Sequence, residues 1–142
     1  MNGDELMASL LKKEGVEWIS CFPAQTLINA CSKEGIRPVM CRQERAGVNM
    51  ADSYSRIHNG NKIGVFTMQH GPGAENAFGG VAQAFADNVP ILLIPGGSTK
   101  RRVDVHPGFD AVPNYKHITK WAGRINTIER IPEMVSRAFT HL

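Results

Sequence analysis

The sequence predicts an α/β fold: a doubly wound parallel sheet of about five or six strands with helices on both faces, giving three layers. Short apolar segments alternate with segments whose apolar residues repeat at helical spacing, which is typical of βαβ units and a parallel sheet. The unbroken apolar run at 90–95 indicates a strand that is buried on both faces. We expect one domain over residues 1–142.

Glycine and proline divide the first half of the chain into elements. Gly15, Gly35 and Gly60 each follow an amphipathic segment, where glycine commonly ends a helix. Pro23 ends the apolar segment before it, because proline has no N–H for a sheet ladder. The elements predicted here are helices at 3–14, 24–34 and 44–58 and strands at 17–22, 38–41 and 63–68.

The second half repeats this alternation. Residues 74–86 place their apolar side chains on one helical stripe, and a final helix reaching Leu142 does the same from Ile131 onward. A polar, glycine-bearing loop is predicted at 96–114. The strands predicted here are 90–95 and 120–125.

Composition excludes several classes of function. Of the 142 residues 42 % are hydrophobic and 20 % charged, as in an ordinary folded domain, and the net charge of +3 includes no long Lys/Arg run, so we expect no nucleic-acid binding. No apolar run reaches the roughly 18 residues of a membrane span. The acidic N-terminus is unlike a signal peptide, so a cytoplasmic protein without a membrane partner is predicted. Cysteine and histidine spacings match no metal motif, so we expect no metal ligands in this chain.

Ligands of parallel sheets bind at the carboxyl ends of the strands, so the segments there are the candidates for chemistry. These segments are 22–25, 42–44, 69–73 and 96–98. The turn Gly71–Asn76 lacks the third glycine of a dinucleotide fingerprint, and Glu75 would repel a phosphate at the helix N-terminus. Its glycines and proline fit either an ordinary turn or a backbone that approaches a flat or bulky ligand.

Polar side chains near these ends are open to two interpretations each. Glu44 is either a first-turn acid favoured by the helix dipole or a crevice carboxylate that shares a proton with a ligand nitrogen. Gln69 and His70 either cap a turn or point into the crevice. The basic run 100–102 is either a solvated surface or a contact for an acidic partner or an anionic substrate.

Five segments occur in an order and spacing that carry a family resemblance. Met50–Arg56 (MADSYSR) is close to a family helix with the sequence MADGYAR, and Gly71–Asn76 (GPGAEN) to a turn GPGATN. The other segments are Cys41–Ala46, Ala82–Ile91 and Gly108–Ala111. Over nearly its whole length the chain resembles the pyrimidine-binding, N-terminal domain of thiamine-diphosphate-dependent enzymes. It is most similar to the acetolactate synthase-like branch of 2-oxo acid decarboxylases and carboligases.

The resemblance implies a role for each candidate residue. It makes Glu44 the catalytic glutamate, which hydrogen-bonds N1′ of the aminopyrimidine of the cofactor and stabilises its imino form. A carboxyl group in a dry pocket suits this task, because it can hold and exchange a proton there. The residues implied to bind the cofactor are Glu44, Gly71, Pro72, Gly73, Asn76 and Pro23. Those implied to border a small 2-oxo acid substrate are Gln25, Gln69 and His70.

The resemblance also implies a cofactor site divided between domains. In the family, the diphosphate and Mg²⁺ are held by a separate domain with a GDG motif, and no Gly-Asp-Gly occurs in this sequence. We therefore expect a diphosphate-binding partner domain, in the same or another chain, within a homodimer or tetramer. Residues 21–26 lack the glycines of the family's FG-x-PGG loop, which leaves the substrate class open.

Three functions are compatible with these features. The chain is the N-terminal domain of a longer decarboxylase or carboligase, or the separate small subunit of a two-chain decarboxylase of the sulfopyruvate or phosphonopyruvate type. The third is a non-catalytic regulatory or assembly module. Glu44 weighs against the module, because such a copy would be free to lose the acid.

Overall fold

The computed structural model describes residues 1–22 and 26–142, in which strands and helices alternate as predicted. The helices are α1 (Gly3–Lys13), α2 (Thr26–Lys33), α3 (Glu44–Ile57), α4 (Pro72–Ala86), α5 (Ala111–Tyr115) and α6 (Ile131–His141). The strands are β1 (Trp18–Cys21), β2 (Arg37–Met40), β3 (Gly64–Met68) and β4 (Ile91–Pro95). None of the described helices is both long and apolar enough to cross a lipid bilayer.

The four described strands form one parallel sheet in the order β2-β1-β3-β4. Ser20 of β1 lies opposite Phe66 of β3, and Phe66 lies opposite Leu93 of β4. All five residues of β3 are buried, as its inner position requires. The direction of winding reverses between β1 and β3, and this is the point at which ligands of such sheets bind.

Each face of the sheet is covered by helices. Because side chains alternate along a strand, Val65 packs among α1, α2 and α6, whereas Phe66 and Met68 pack among α3, α4 and α5. Two apolar clusters therefore lie on opposite sides of the sheet. This arrangement confirms the predicted three-layer, doubly wound α/β fold.

The strand predicted at 120–125 is wrong, and the described sheet has four strands rather than five or six. Trp121 stacks on the ring of His141 with centroids 5.9 Å apart. A Cβ on Gly123 would lie 2.5 Å from the Trp121 ring and 2.7 Å from Met134 Cε. The segment thus packs against α6 through its side chains instead of pairing its backbone with β4.

The C-terminal boundary of the loop predicted at 96–114 is also wrong, because α5 begins at Ala111. The Asp110 side chain caps this helix by accepting a hydrogen bond from the Val112 backbone N–H at 3.1 Å. Asp110 is held in turn by an ion pair with Arg124. A helix of five residues is too short to show a helical repeat in the sequence.

Close packing of α3 on the sheet sets the position of the helix. Ser20 Oγ donates to the Gly47 carbonyl oxygen at 2.7 Å from inside the core. A Cβ on Gly47 would lie 2.2 Å from the Phe66 ring, so only glycine allows this approach. The N-terminus of α3 is consequently held at the carboxyl ends of the strands.

Candidate functional site

Glu44 is a buried acid at the first position of α3. Only 4 % of its surface is exposed, although it follows directly on the turn after β2. Gln43, the extended residue before it, makes no side-chain cap hydrogen bond among the described residues. The helix N-terminus stabilises a carboxylate, whereas burial disfavours its charge. Glu44 is therefore a buried acid at a helix N-terminus, next to the carboxyl ends of the strands.

The turn between β3 and α4 brings backbone close to this carboxyl group. Gly71 has φ of 70°, a left-handed conformation that favours glycine, and Pro72 begins α4. A Cβ on Gly73 would lie 3.4 Å from Glu44 Oε1 and 2.8 Å from Gln69 Cγ. Any side chain at position 73 would therefore fill the space beside the carboxyl group.

Asn76 joins α4 to α3 at this site. Its Nδ2 donates to Glu44 Oε2 at 3.2 Å. The structure thus brings together four residues that the sequence analysis singled out, although they are separated by up to 32 positions in the chain. These residues are Glu44, Gln69, Gly73 and Asn76. Their proximity locates the candidate site between the first turns of two helices.

His70 lies at the same sheet edge but is exposed and turned towards the loop after β4. Its Nε2 is 2.8 Å from Ser98 Oγ. His70 and Ser98 line a cavity of about 820 Å³ together with the basic residues Lys100 and Arg102. His70 also lines a second cavity, of about 550 Å³, with Gln69. Three basic residues, Lys100, Arg102 and Arg124, line the larger cavity with the acids Asp104 and Asp110, so a small anion would meet a slight excess of positive charge there.

Pro23 and Gln25, predicted to contact the cofactor and the substrate, lie outside the described residues. Within residues 1–22 and 26–142, no three His, Cys, Asp or Glu side chains are grouped as ligands of a metal ion would be. The roles of the individual site residues stay predictions.

Comparison with known proteins identifies the family. The family model described as "Thiamine pyrophosphate enzyme, N-terminal TPP binding domain" matches residues 1–119. The chain belongs to this family. The resemblance inferred from the sequence motifs is thereby confirmed.

Acetolactate synthases are among the relatives of this thiamine pyrophosphate domain. The large subunit from Haemophilus influenzae is 29 % identical over 145 residues, which cover 98 % of this chain and 25 % of the relative. The large subunit from Lactococcus lactis is 31 % identical over 144 residues, which cover 97 % of this chain and 25 % of the relative. The chloroplastic acetolactate synthase of Arabidopsis thaliana is 31 % identical over 146 residues, which cover 96 % of this chain and 21 % of the relative. The chain spans about a quarter of the length of these curated relatives.

Sequence reasoning missed Tyr115, which holds the first turn of α4 in this thiamine pyrophosphate domain. Its hydroxyl donates to the Ala74 carbonyl oxygen at 2.6 Å, and its surface is 4 % exposed. Burial raises the pKa of the Tyr115 phenol, so the hydroxyl remains a donor at neutral pH. The bond joins residues 41 positions apart, and no local pattern in the sequence predicts it.

Replacing Tyr115 with phenylalanine is expected to lower the free energy of unfolding by about 1 kcal/mol, because the Ala74 carbonyl loses the donor outside its own helix. The ring still packs edge-on against Phe78 and Phe109. Urea denaturation of wild type and Tyr115→Phe measures the difference. Coincident unfolding curves would show that the hydrogen bond contributes nothing to stability.

Proposed function

We propose that this chain forms the aminopyrimidine-binding part of a thiamine-diphosphate-dependent enzyme of the acetolactate synthase type, which decarboxylates or condenses small 2-oxo acids. The observation that carries the proposal is the buried carboxyl group of Glu44 beside Gly73, at the strand ends where ligands of parallel sheets bind. Membership of the thiamine pyrophosphate family and similarity to acetolactate synthase large subunits support the reaction class.

The groups around Glu44 fit a flat, weakly basic ring. A Cβ at residue 73 would lie 3.4 Å from Glu44 Oε1, so the glycine there keeps a side chain away from the carboxyl oxygen that would meet the ring. When bound, thiamine diphosphate supplies a thiazolium carbon that adds to the carbonyl group of a 2-oxo acid. The task of Glu44 is to hold and exchange a proton at the ring nitrogen, and water exclusion strengthens that hydrogen bond.

The diphosphate and its Mg²⁺ are assigned by this proposal to a partner domain, in the same or another chain. The chain spans about a quarter of the length of its curated relatives, which leaves most of a protein of their size for such a domain. Because the resemblance implies a cofactor site between domains of different subunits, we further propose a homodimer or tetramer. The cytoplasmic location expected from the sequence stays a prediction.

The test is release of CO₂ from pyruvate and other small 2-oxo acids by the intact protein, with and without added thiamine diphosphate and Mg²⁺. We expect release that depends on both additions. Activity that requires a second, copurifying subunit would support the two-chain decarboxylase instead. No release from any acid, in protein that folds normally, would favour the regulatory or assembly module.

His70 and Gln69 are proposed to border the 2-oxo acid. A His70→Ala substitution is expected to raise KM for this acid about 10-fold with a smaller change in kcat, which corresponds to the loss of one hydrogen bond. The basic residues Lys100 and Arg102 in the same cavity support an anionic ligand there. Steady-state kinetics at saturating cofactor measures the effect, and exposed His117→Ala is the control. A His70→Ala variant with the wild-type KM would contradict the assignment.

A further inference from the structure

We propose that Asn76 is a positioning residue that determines which oxygen of Glu44 carries its exchangeable proton. The inference rests on the proposed function, because it concerns the proton that Glu44 exchanges with the cofactor ring. Asn76 Nδ2 donates to Oε2 of this buried carboxyl group. The carbonyl oxygen of a protonated carboxyl group is a better acceptor than its hydroxyl oxygen, so the bond to Oε2 favours the form of Glu44 that carries its hydrogen on Oε1.

Oε1 is the oxygen next to Gly73. A Cβ on Gly73 would lie 3.4 Å from it, so the glycine keeps a side chain of residue 73 away from Oε1. The hydrogen bond from Asn76 and the missing side chain of Gly73 therefore act together. The hydrogen bond selects the oxygen that bears the proton, and the glycine keeps the side chain of residue 73 away from this oxygen.

The distance between Asn76 and Glu44 is set by close contact of α3 with α4. A Cβ on Gly80 would lie 3.0 Å from Val48 Cβ, so glycine at this position lets the helices approach. At Gly79 a Cβ would lie 2.7 Å from the Arg45 guanidinium, which crosses the α4 backbone there. Asn76 therefore lies on a closely packed pair of helices rather than on a loop, and such a rigid support is what a positioning residue requires.

A first experiment needs no cofactor. The side-chain amide of Asn76 is followed by ¹⁵N–¹H NMR of the chain during a pH titration, in wild type and in Glu44→Gln. We expect the Asn76 amide proton resonance to move as Glu44 changes its charge, and this movement to vanish in Glu44→Gln. The exposed amide of Asn49, whose Oδ1 lies beside Gly80 of α4, is the internal control. An Asn76 resonance that is identical in both proteins overturns the proposal.

A second experiment measures the consequence in the loaded protein. Asn76→Leu removes the amide and is expected to lower kcat about 10-fold while KM for the 2-oxo acid stays near the wild-type value. Asn76→Asp has nearly the same shape but places a second carboxyl group beside Glu44, and we expect a larger loss. Gln83→Ala, exposed on the same helix, is the control. Wild-type turnover in Asn76→Leu overturns the proposal.

A double variant separates positioning from an independent contribution. If Asn76 acts through Glu44, adding Asn76→Leu to Glu44→Gln lowers kcat no further. Losses that multiply would overturn the proposal. Full turnover of Glu44→Gln alone would instead overturn the proposed function, whereas an inactive Glu44→Gln beside a fully active Asn76→Leu overturns only the role of Asn76.

Discussion

A Glu44→Gln variant is expected to retain its fold and to lose about 10²-fold or more of its turnover, as is usual when a general acid/base group is removed. The amide has nearly the volume of the carboxyl group, so the buried pocket keeps its shape. A glutamine side chain retains an oxygen that accepts the Asn76 hydrogen bond. It cannot donate and recover a proton as a carboxyl group does, and the loss therefore reports on proton exchange rather than on packing.

The measurement is kcat with a 2-oxo acid at saturating thiamine diphosphate and Mg²⁺, together with the urea midpoint of each protein. The matched control is Glu75→Gln, the same chemical change at an exposed acid on the first turn of α4. We expect the control to keep wild-type turnover. If the kcat of Glu44→Gln lies within a few-fold of the wild-type value, the role assigned to Glu44 is wrong, and with it the proposed function.

A Gly64→Ala substitution is expected to destabilise the protein by about 3 kcal/mol, the upper part of the usual range for an overpacked core. A Cβ at this position would lie 1.9 Å from the Ala51 carbonyl oxygen and 2.5 Å from Ala51 Cα. These are backbone atoms of α3, so no side-chain rotation relieves the clash. The helix must move away from β3, and Glu44 at its first position moves with it.

Urea denaturation compares Gly64→Ala with Gly97→Ala. A Cβ on Gly97 meets nothing within 4 Å, so the same substitution there should change the free energy of unfolding by no more than about 0.5 kcal/mol. Because α3 carries Glu44, Gly64→Ala is also expected to lower turnover at temperatures where it is still folded. Equal midpoints for the two variants would show that α3 shifts freely on the sheet.

Most of the secondary structure was predictable because its signals are local. The apolar run at 90–95 corresponds to β4, and the helical stripe at 74–86 lies within α4. Helix α3 begins at Glu44, where the helix predicted at 44–58 begins. The prediction failed at 120–125, where apolar and small residues resembled a strand. Their packing on α6 depends on residues that are distant in the chain, so local composition could not reveal it.

The candidate site was predictable as a set of segments but not as an arrangement. The strand ends and the motif around the turn at Gly71 indicated where ligand-binding groups would lie. The sequence did not indicate that Tyr115 supports this turn. It also did not show that His70 turns towards Ser98 while Gln69 Cγ lies where a Cβ on Gly73 would clash with it. Both residues follow the end of β3, where only the surrounding elements decide what each side chain meets.

The amino-acid sequence by itself determined the fold class, the family and the residue types available for chemistry. These depend on periodicity, turn residues and motifs, each encoded within a few neighbouring positions. Only the tertiary structure decided that the Asn76 amide reaches Oε2 of Glu44 and that Gly73 lies beside Oε1. The physical reason is that both contacts arise from the close packing of α3, α4 and β3. That packing depends on glycines at Gly47, Gly64 and Gly80, whose effect appears only when distant segments meet.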